Sequence, residues 1–280
     1  MIDLLLEPLT YQYMVRAVWV SAMVGGVCAF LSAYLMLKGW SLMGDALAHS
    51  VVPGVALAYL LALPYSIGAF FAGLLASLCM AIVKKQTRLR EDTTIGIIFT
   101  SFFAVGLLLI SMNPTSVNVQ AIILGNIHAI TDSDVTQVVI ISIVCLTILS
   151  LKWKDLLAIF FDENHARSIG LSVTFYHILF FTLLSAACVA ALQTVGACLV
   201  IAMVITPGAT AYLLTDRFGV LIIISVLVGT VSSGVGAYLS FHIDANTGGL
   251  IVTLQTVIFL LVFFFAPRYG YLKRRMVTNG

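Results

Sequence analysis

Hydrophobic residues occur along this chain in long continuous runs, which short polar segments separate. The runs do not alternate with polar residues, as the strands of a membrane β-barrel do. A helix of about 20 apolar residues crosses the roughly 30 Å hydrocarbon layer of a bilayer. Runs of this length predict membrane-spanning helices near residues 15–37, 94–112, 133–151, 172–192, 195–214, 219–240 and 249–266.

A further apolar stretch, residues 44–83, is longer than one span. It is interrupted at Pro53, Gly54, Pro64 and Gly68. It forms either two spans that meet at Leu63–Ser66 or one full span followed by a broken half-helix, because proline lacks the N–H that a helix interior needs. The sequence therefore predicts an all-α polytopic membrane protein with broken helices and eight crossings, nine being the alternative.

Composition agrees with this class of protein. Of the 280 residues, 61% are hydrophobic and 9% are charged, whereas soluble domains carry about 25% charged residues. The apolar spans of this chain are therefore predicted to be surrounded by membrane lipid. A net charge of +2 gives no basis for binding nucleic acid. No segment outside the spans is large enough for a second domain, so residues 1–280 are expected to form a single transmembrane domain.

The distribution of positive charge orients the spans. Lys and Arg cluster in three segments, at residues 84–90, 152–167 and 268–275. The positive-inside rule places these segments in the cytoplasm, and it places the intervening loops 113–132 and 241–248, which lack Lys and Arg, outside. Arg16 and Lys38 flank the first span with one charge each. For that span we favour an inside N-terminus, in keeping with eight crossings.

Asp45 and His49 are the side chains most unusual for their surroundings. They lie four residues apart at the start of the 44–83 stretch, and a spacing of four places both on one face of a helix. Ionisable groups are costly inside a bilayer, about 2.5–3.5 kcal/mol at the helix centre on insertion scales. A carboxylate and an imidazole so placed can bind one divalent cation such as manganese, iron or zinc.

Purely structural roles are also open to these residues. Asp45 suits a helix N-cap after Gly44, and His49 can hydrogen-bond a neighbouring helix. Against this, Pro53 cannot bond the backbone oxygen of His49, which leaves that oxygen free beside both side chains. Broken helices in transporters expose ligands near the midplane in this way. Because two side chains make an incomplete metal site, a two-fold partner with its own pair would complete it.

A second proline interruption is predicted at residues 204–211. Pro207 frees the carbonyl of Met203, which Thr206 and Thr210 could bond, and Gly208 allows close approach of another helix. This segment either forms part of the pathway or is a kink that serves packing, and the kink is the more ordinary reading.

Residues 155–171 form an unusual cytoplasmic segment. Charged residues are mixed with apolar ones, and the pattern predicts a short helix that ends near Gly170, a residue suited to a helix C-cap. The mixture favours docking to a partner, the alternative being an amphipathic helix that rests on the membrane. The chain contains no Gly-x-x-x-x-Gly-Lys-Ser/Thr phosphate loop, so ATP is not bound in that manner.

Three motifs, in order, resemble a known family. They are Ser-Leu-Met-Gly-Asp-Ala-Leu-Ala-His-Ser-Val-Val-Pro-Gly at 41–54, Ala-Arg-Ser-Ile-Gly-Leu at 166–171 and Val-Ile-Thr-Pro-Gly-Ala-Thr-Ala at 204–211. Nearly the whole chain, with 113–120 and 247–255 also matching, is similar to the permease family of metal-ion ABC importers, and within it to the Yfe/Sit-type iron and manganese systems of Gram-negative bacteria.

The resemblance implies a bacterial inner-membrane permease that is not itself an enzyme. It implies three partners: a second permease subunit, either identical or related, a cytoplasmic ABC ATPase dimer that hydrolyses ATP, and a periplasmic metal-binding protein. Asp45 and His49 would hold the transported metal, which is manganese or iron with zinc also possible, and no permanent cofactor is expected. The ATPase-docking segment would contain Asp162, Ala166, Gly170 and Leu171.

Two other classes of protein remain as alternatives. A secondary transporter could move metal by proton exchange at Asp45 and His49, but the mixed apolar and charged segment would then have no role. A structural membrane scaffold would leave the intramembrane Asp45 unexplained.

Overall fold

The computed structural model describes residues 7, 8, 10–40, 42–87, 89–112 and 132–266, and within these ranges the chain contains helices and no strand. The motif at 113–120 and the basic cluster at 268–275 lie outside the described residues. The helices are α1 (Gln12–Lys38), α2 (Met43–Ser50), α3 (Val52–Leu60), α4 (Tyr65–Gln86), α5 (Glu91–Met112), α6 (Asp132–Phe161), α7 (Glu163–Ser168), α8 (Val173–Val195), α9 (Ala197–Leu214), α10 (Phe218–Ile243) and α11 (Thr247–Phe265).

The stretch 44–83 forms two spans. The first is α2 with α3, which together reach from Met43 to Leu60, and the second is α4. Eight spans in the described residues are long and apolar enough to cross a membrane, and α9 is a shorter apolar helix. The two-span alternative for this stretch is therefore confirmed, with the turn at 61–64.

Two ion pairs give the direction of α1. Arg16 near its start pairs with Asp132, which belongs to the outer loop. Lys38 at its end pairs with Glu163, which lies in the cytoplasmic segment, at 3.1 Å. On the sidedness that the positive charges predict, the Arg16 end of α1 lies outside, opposite to the inside end expected for this span. Charge balance around one span did not reveal this, because the partner of Arg16 is 116 residues away.

The direction of α1 agrees with nine crossings. A cavity of about 410 Å³ is lined by Leu37 and Lys154 from the cytoplasmic side, together with Asp216 and Phe218. The turn between α9 and α10 therefore lies on the same side as the start of α8, so α9 returns across the membrane. The start of α1 and the end of α10 also meet outside, where the Tyr11 and Phe241 rings are 5.7 Å apart.

The centre of the molecule is α1, whose Leu31, Tyr34 and Leu35 have no exposed area. It packs most closely on α10, where a Cβ added at either Gly25 or Gly229 would collide with the opposite helix. Such small residues let helix backbones approach within a bilayer, where dispersion contacts hold helices together.

Candidate functional site

Asp45 and His49 lie on one face of α2, as their spacing predicts. The Nδ1 atom of His49 is 3.0 Å from Oδ1 of Asp45 and 3.1 Å from the Asp45 carbonyl oxygen. About a third of each side chain is exposed, 30% for His49 and 33% for Asp45. Because the neighbouring Ala46, Leu47 and Ala48 are buried, the two polar side chains share the accessible face of an otherwise buried helix.

Asp45 also orients the imidazole of His49. The contacts from Nδ1 to the carbonyl and carboxylate oxygens of Asp45 occupy that nitrogen, which leaves Nε2 as the nitrogen available to a metal. A hydrogen bond at the second ring nitrogen commonly fixes the tautomer and orientation of a metal-binding histidine.

Two phenylalanines of α5 hold the imidazole on its other sides. The rings of Phe99 and Phe103 each meet His49 edge to face, with centroids 5.5 Å from the imidazole. Phe99 and Phe103 are one helical turn apart, so they form one surface that faces α2. The sequence analysis did not identify them, because phenylalanine is common throughout the apolar runs and nothing in its spacing marks contact with a distant histidine.

The junction of α2 and α3 lies at Val51, two residues before Pro53. Val51 keeps helical backbone angles, φ −78° and ψ −16°, and its N–H points to the carbonyl oxygen of His49. A contact across two residues at these helical angles is too bent for a hydrogen bond, so the His49 carbonyl oxygen remains the ligand candidate that Pro53 predicts. Pro53 is buried and packs on α5 at Gly106, where an added Cβ would come within 2.8 Å of the Pro53 nitrogen.

The hairpin of α3 and α4 is held by direct backbone contact. A Cβ added at Gly54 would collide with the carbonyl oxygen of Gly68, and one added at Gly68 would collide with that of Gly54. Gly54 also faces Ala72, and Gly68 faces Ala58. This pairing of small residues sets the position of α3 directly after the metal-ligand candidates.

The helix break predicted at Thr206, Pro207 and Gly208 is not an interruption, because α9 continues through Pro207. The Thr210 hydroxyl donates to the carbonyl of Thr206 at 2.8 Å, and not to Met203 as expected. Ser32 of α1 bonds the turn around Pro207: its hydroxyl donates to the Ile205 carbonyl at 3.1 Å and accepts from the Gly208 N–H at 3.0 Å.

The α9 segment before Pro207 lies beside the Asp45 helix. A Cβ added at Gly44 would be 2.8 Å from the Val204 side chain, so α2 and α9 pack closely at this point. The structure thus brings Val204 against the first turn of α2, whereas Gly208 packs on Ser32 of α1. Of the predicted pathway residues, Pro53 of α3 packs on α5, and the segment before Pro207 packs on α2 through Val204. The α2–α3 pair therefore contacts both α5 and α9.

The cytoplasmic segment begins later than predicted. Residues 155–161 continue the long helix α6, since nothing in their sequence breaks a helix, and the separate short helix is α7. Asp162 divides the two helices with an extended backbone, and its carboxylate caps α7 by accepting the N–H groups of Asn164 and His165 at 2.8 and 3.2 Å. This is the N-cap arrangement that Asp favours.

The end of α7 agrees with the predicted C-cap. Gly170 has φ +85°, the left-handed region that glycine adopts without strain. The N–H of Leu171 donates to the carbonyl of Ala166 at 3.0 Å. Ala166 is completely buried, whereas Ile169 is 57% exposed, so α7 packs one face on the protein and presents the other to the cytoplasm.

Asp45 and His49 alone could supply only part of a metal centre. In the described part of the chain, no group of three or more His, Cys, Asp or Glu side chains is close enough to hold a metal ion. Asp45 and His49 contribute one carboxylate and one imidazole, ligands that suit manganese, iron or zinc. Their accessible face is therefore where a second chain or the passing ion's water would supply the remaining ligands.

Comparisons with known proteins agree with this arrangement. The sequence matches the ABC 3 transport family over residues 10–266. The chelated iron transport system membrane protein YfeC of Yersinia pestis is 68% identical over 279 residues, with 100% of this chain and 95% of that protein covered. The manganese transport system membrane protein MntB of Synechocystis sp. is 48% identical, with 96% and 88% covered.

A solved structure is also similar. PsaBC from Streptococcus pneumoniae, in complex with Fab, contains a chain that superposes with a TM-score of 0.87 at 36% sequence identity, covering 98% of this chain and 100% of that one. The family resemblance carried by the three motifs is thereby confirmed, as is the all-α polytopic fold.

Proposed function

Because the chain belongs to the ABC 3 transport family, we propose that it is the transmembrane permease subunit of an ATP-binding-cassette importer that carries manganese or iron across the bacterial inner membrane. Relatives named for iron and for manganese transport support this choice of metals. Zinc is a further cation that the same ligands accept.

The observation that carries the proposal is the Asp45–His49 pair. A carboxylate and an imidazole 3.0 Å apart share the accessible face of a mostly buried transmembrane helix, where such groups are retained chiefly for function. Binding requires the carboxylate to turn from Nδ1 of His49 toward the cation. A second permease subunit, identical or related, would bring another such pair across a two-fold axis.

The same proposal assigns the cytoplasmic segment to ATPase docking. Asp162 caps α7, Ala166 anchors it, and Gly170 and Leu171 end it, so the segment is a preformed short helix on the cytoplasmic face. The partners are a cytoplasmic ABC ATPase dimer, which hydrolyses ATP, and a periplasmic metal-binding protein that delivers the ion.

Uptake of radiolabelled manganese by cells or proteoliposomes tests the metal site. Asp45→Ala and His49→Ala should each lower uptake by more than about tenfold at equal expression, since removing even a group that only orients a metal ligand costs roughly 10–100-fold in metal affinity. Ser50→Ala is the matched control, because Ser50 is in the same helix with no exposed area. Near-normal uptake by both ligand variants would overturn the proposal.

The source of energy separates the proposal from proton-coupled exchange. An importer of this family should take up manganese only with its ATPase and ATP present, and it should do so without a pH gradient across the vesicle. Uptake that follows the pH gradient and persists without the ATPase would favour the secondary transporter instead.

A further inference from the structure

A partly buried ion pair joins α7 to the end of α1. The Glu163 carboxylate, in the first turn of α7, lies 3.1 Å from the Lys38 ammonium, with side-chain exposures of 31% and 20%. His177 Nε2 of α8 is 3.8 Å from the same carboxylate, and Arg167 is 4.0 Å from it. Because the pair is partly buried, solvent and salt screen it less than they screen a surface pair.

The residue two positions after Lys38 reinforces this connection. Trp40 is 6% exposed, and its ring stacks on Phe181 and meets Phe160 edge to face, each with centroids 5.6 Å apart. The Lys38 ammonium lies 5.9 Å from the Trp40 ring centroid. Phe160 is near the end of α6, three residues before Glu163, so the ion pair and the ring packing join the same two regions.

The turn that contains Trp40 leads directly into α2. Gly39 ends α1 with φ +71°, and the N–H of Trp40 donates to the carbonyl of Leu35 at 2.8 Å, which is the Schellman ending of a helix. The carbonyl of Trp40 then accepts the N–H of Met43 at 3.1 Å. Asp45 follows in the first turn of α2, so a displacement of this turn moves the helix that carries Asp45 and His49.

We propose that the Lys38–Glu163 ion pair is a coupling contact, through which movement of α7 is transmitted to the α1–α2 turn and on to the metal-ligand helix. The inference rests on the proposed docking of an ATPase at residues 162–171. It adds a role for two residues that touch neither ATP nor metal. A contact can couple two sites when both sites bias the position of one structural element. Here the two sites are the ATPase-docking segment and the Asp45–His49 pair, and the shared element is α2.

The decisive quantity is the number of manganese ions carried per ATP hydrolysed by the complete transporter in proteoliposomes. Lys38→Gln and Glu163→Gln should each lower this ratio by about fivefold, the lower end of typical coupling between sites, while ATP hydrolysis and subunit composition are retained. The charge-conserving variant Lys38→Arg should keep much of the ratio because it retains the positive charge that faces Glu163.

The matched control is the Arg16–Asp132 pair, which joins α1 to α6 at the opposite, outer end. Arg16→Gln with Asp132→Asn should leave the ratio unchanged. The inference is overturned if the Lys38→Gln and Glu163→Gln variants keep the normal ratio, if Lys38→Arg lowers the ratio as far as Lys38→Gln does, or if Glu163→Gln only prevents assembly. If wild-type vesicles themselves show no ATP-dependent manganese uptake, the proposed function fails instead, and the two results are distinguishable.

Discussion

At the scale of single residues, Gly54 and Gly68 determine how closely α3 approaches α4. Gly54→Ala should destabilise the protein by about 1–3 kcal/mol, the usual cost of inserting a methylene or methyl group into a packed interior, because its Cβ would collide with the Gly68 carbonyl oxygen. Thermal unfolding of the purified protein in detergent measures the effect.

Gly96→Ala is the control for this substitution. Gly96 also lies in a transmembrane helix, but a Cβ there meets no atom within 4 Å. It should leave the midpoint of unfolding unchanged or raise it slightly, since alanine favours a helix. Equal stability of the two variants would mean that the α3–α4 contact is looser than the backbone geometry indicates.

Residues also differ in how far the sequence reveals their roles. Asp45 and His49 could be predicted to meet, because both lie on one helix and the period of the helix fixes their separation. Ser32 could not, since it contacts Ile205 and Gly208 across 173 and 176 residues. A serine in an apolar run does not indicate which distant backbone group it bonds, and the same holds for Phe99 and Phe103 beside His49.

At the scale of elements, α7 and its C-cap should control contact with the ATPase. A Cβ at Gly170 meets no atom of the described chain within 4 Å, yet φ +85° strains any other residue. Gly170→Ala introduces that strain, about 1–2 kcal/mol, with little bulk. Gly170→Trp adds a bulky ring on the proposed docking face, so it should prevent assembly or uncouple ATP hydrolysis from transport well beyond the effect of alanine.

Co-purification of the ATPase and the ratio of transport to ATP hydrolysis provide the measurements. If the tryptophan and alanine variants behave alike, the bulk of the side chain is irrelevant and the segment is only a connector between α6 and α8.

The bounds of the cytoplasmic segment could be predicted from the local sequence at one end only. The cap at Gly170 was predictable, whereas the seven residues 155–161 were assigned to the segment although they continue α6. Their mixed polarity concealed an uninterrupted helix.

At the scale of the whole molecule, hydropathy predicted the spans well because a bilayer constrains length and polarity together. It could not give the direction of α1, which carries one positive charge at each end. The Arg16–Asp132 and Lys38–Glu163 pairs determine that direction, and each joins α1 to a part of the chain more than a hundred residues away. The tertiary ion pairs therefore determine the direction of α1, which the balance of charge around that span alone does not.

The proposed Asp45–His49 site also predicts how the transporter discriminates between metals. Carboxylate and imidazole ligands, with no cysteine beside them in α2, accept manganese and ferrous iron but bind zinc more tightly, following the general affinity order of divalent metals. A transport site must also release its ion, so an ion held too tightly stops conduction. Zinc should therefore inhibit manganese uptake while itself being carried at about a tenth of the manganese rate or less.

Competition in reconstituted vesicles checks this expectation. Radiolabelled manganese uptake is measured against increasing zinc, and radiolabelled zinc uptake is measured alone, each with and without the periplasmic binding protein. Inhibition should remain when that protein is omitted, because the tight complex forms at Asp45 and His49. Zinc that is carried as fast as manganese and does not inhibit would show that release from the permease is not the selective step, and that discrimination occurs before the ion reaches α2.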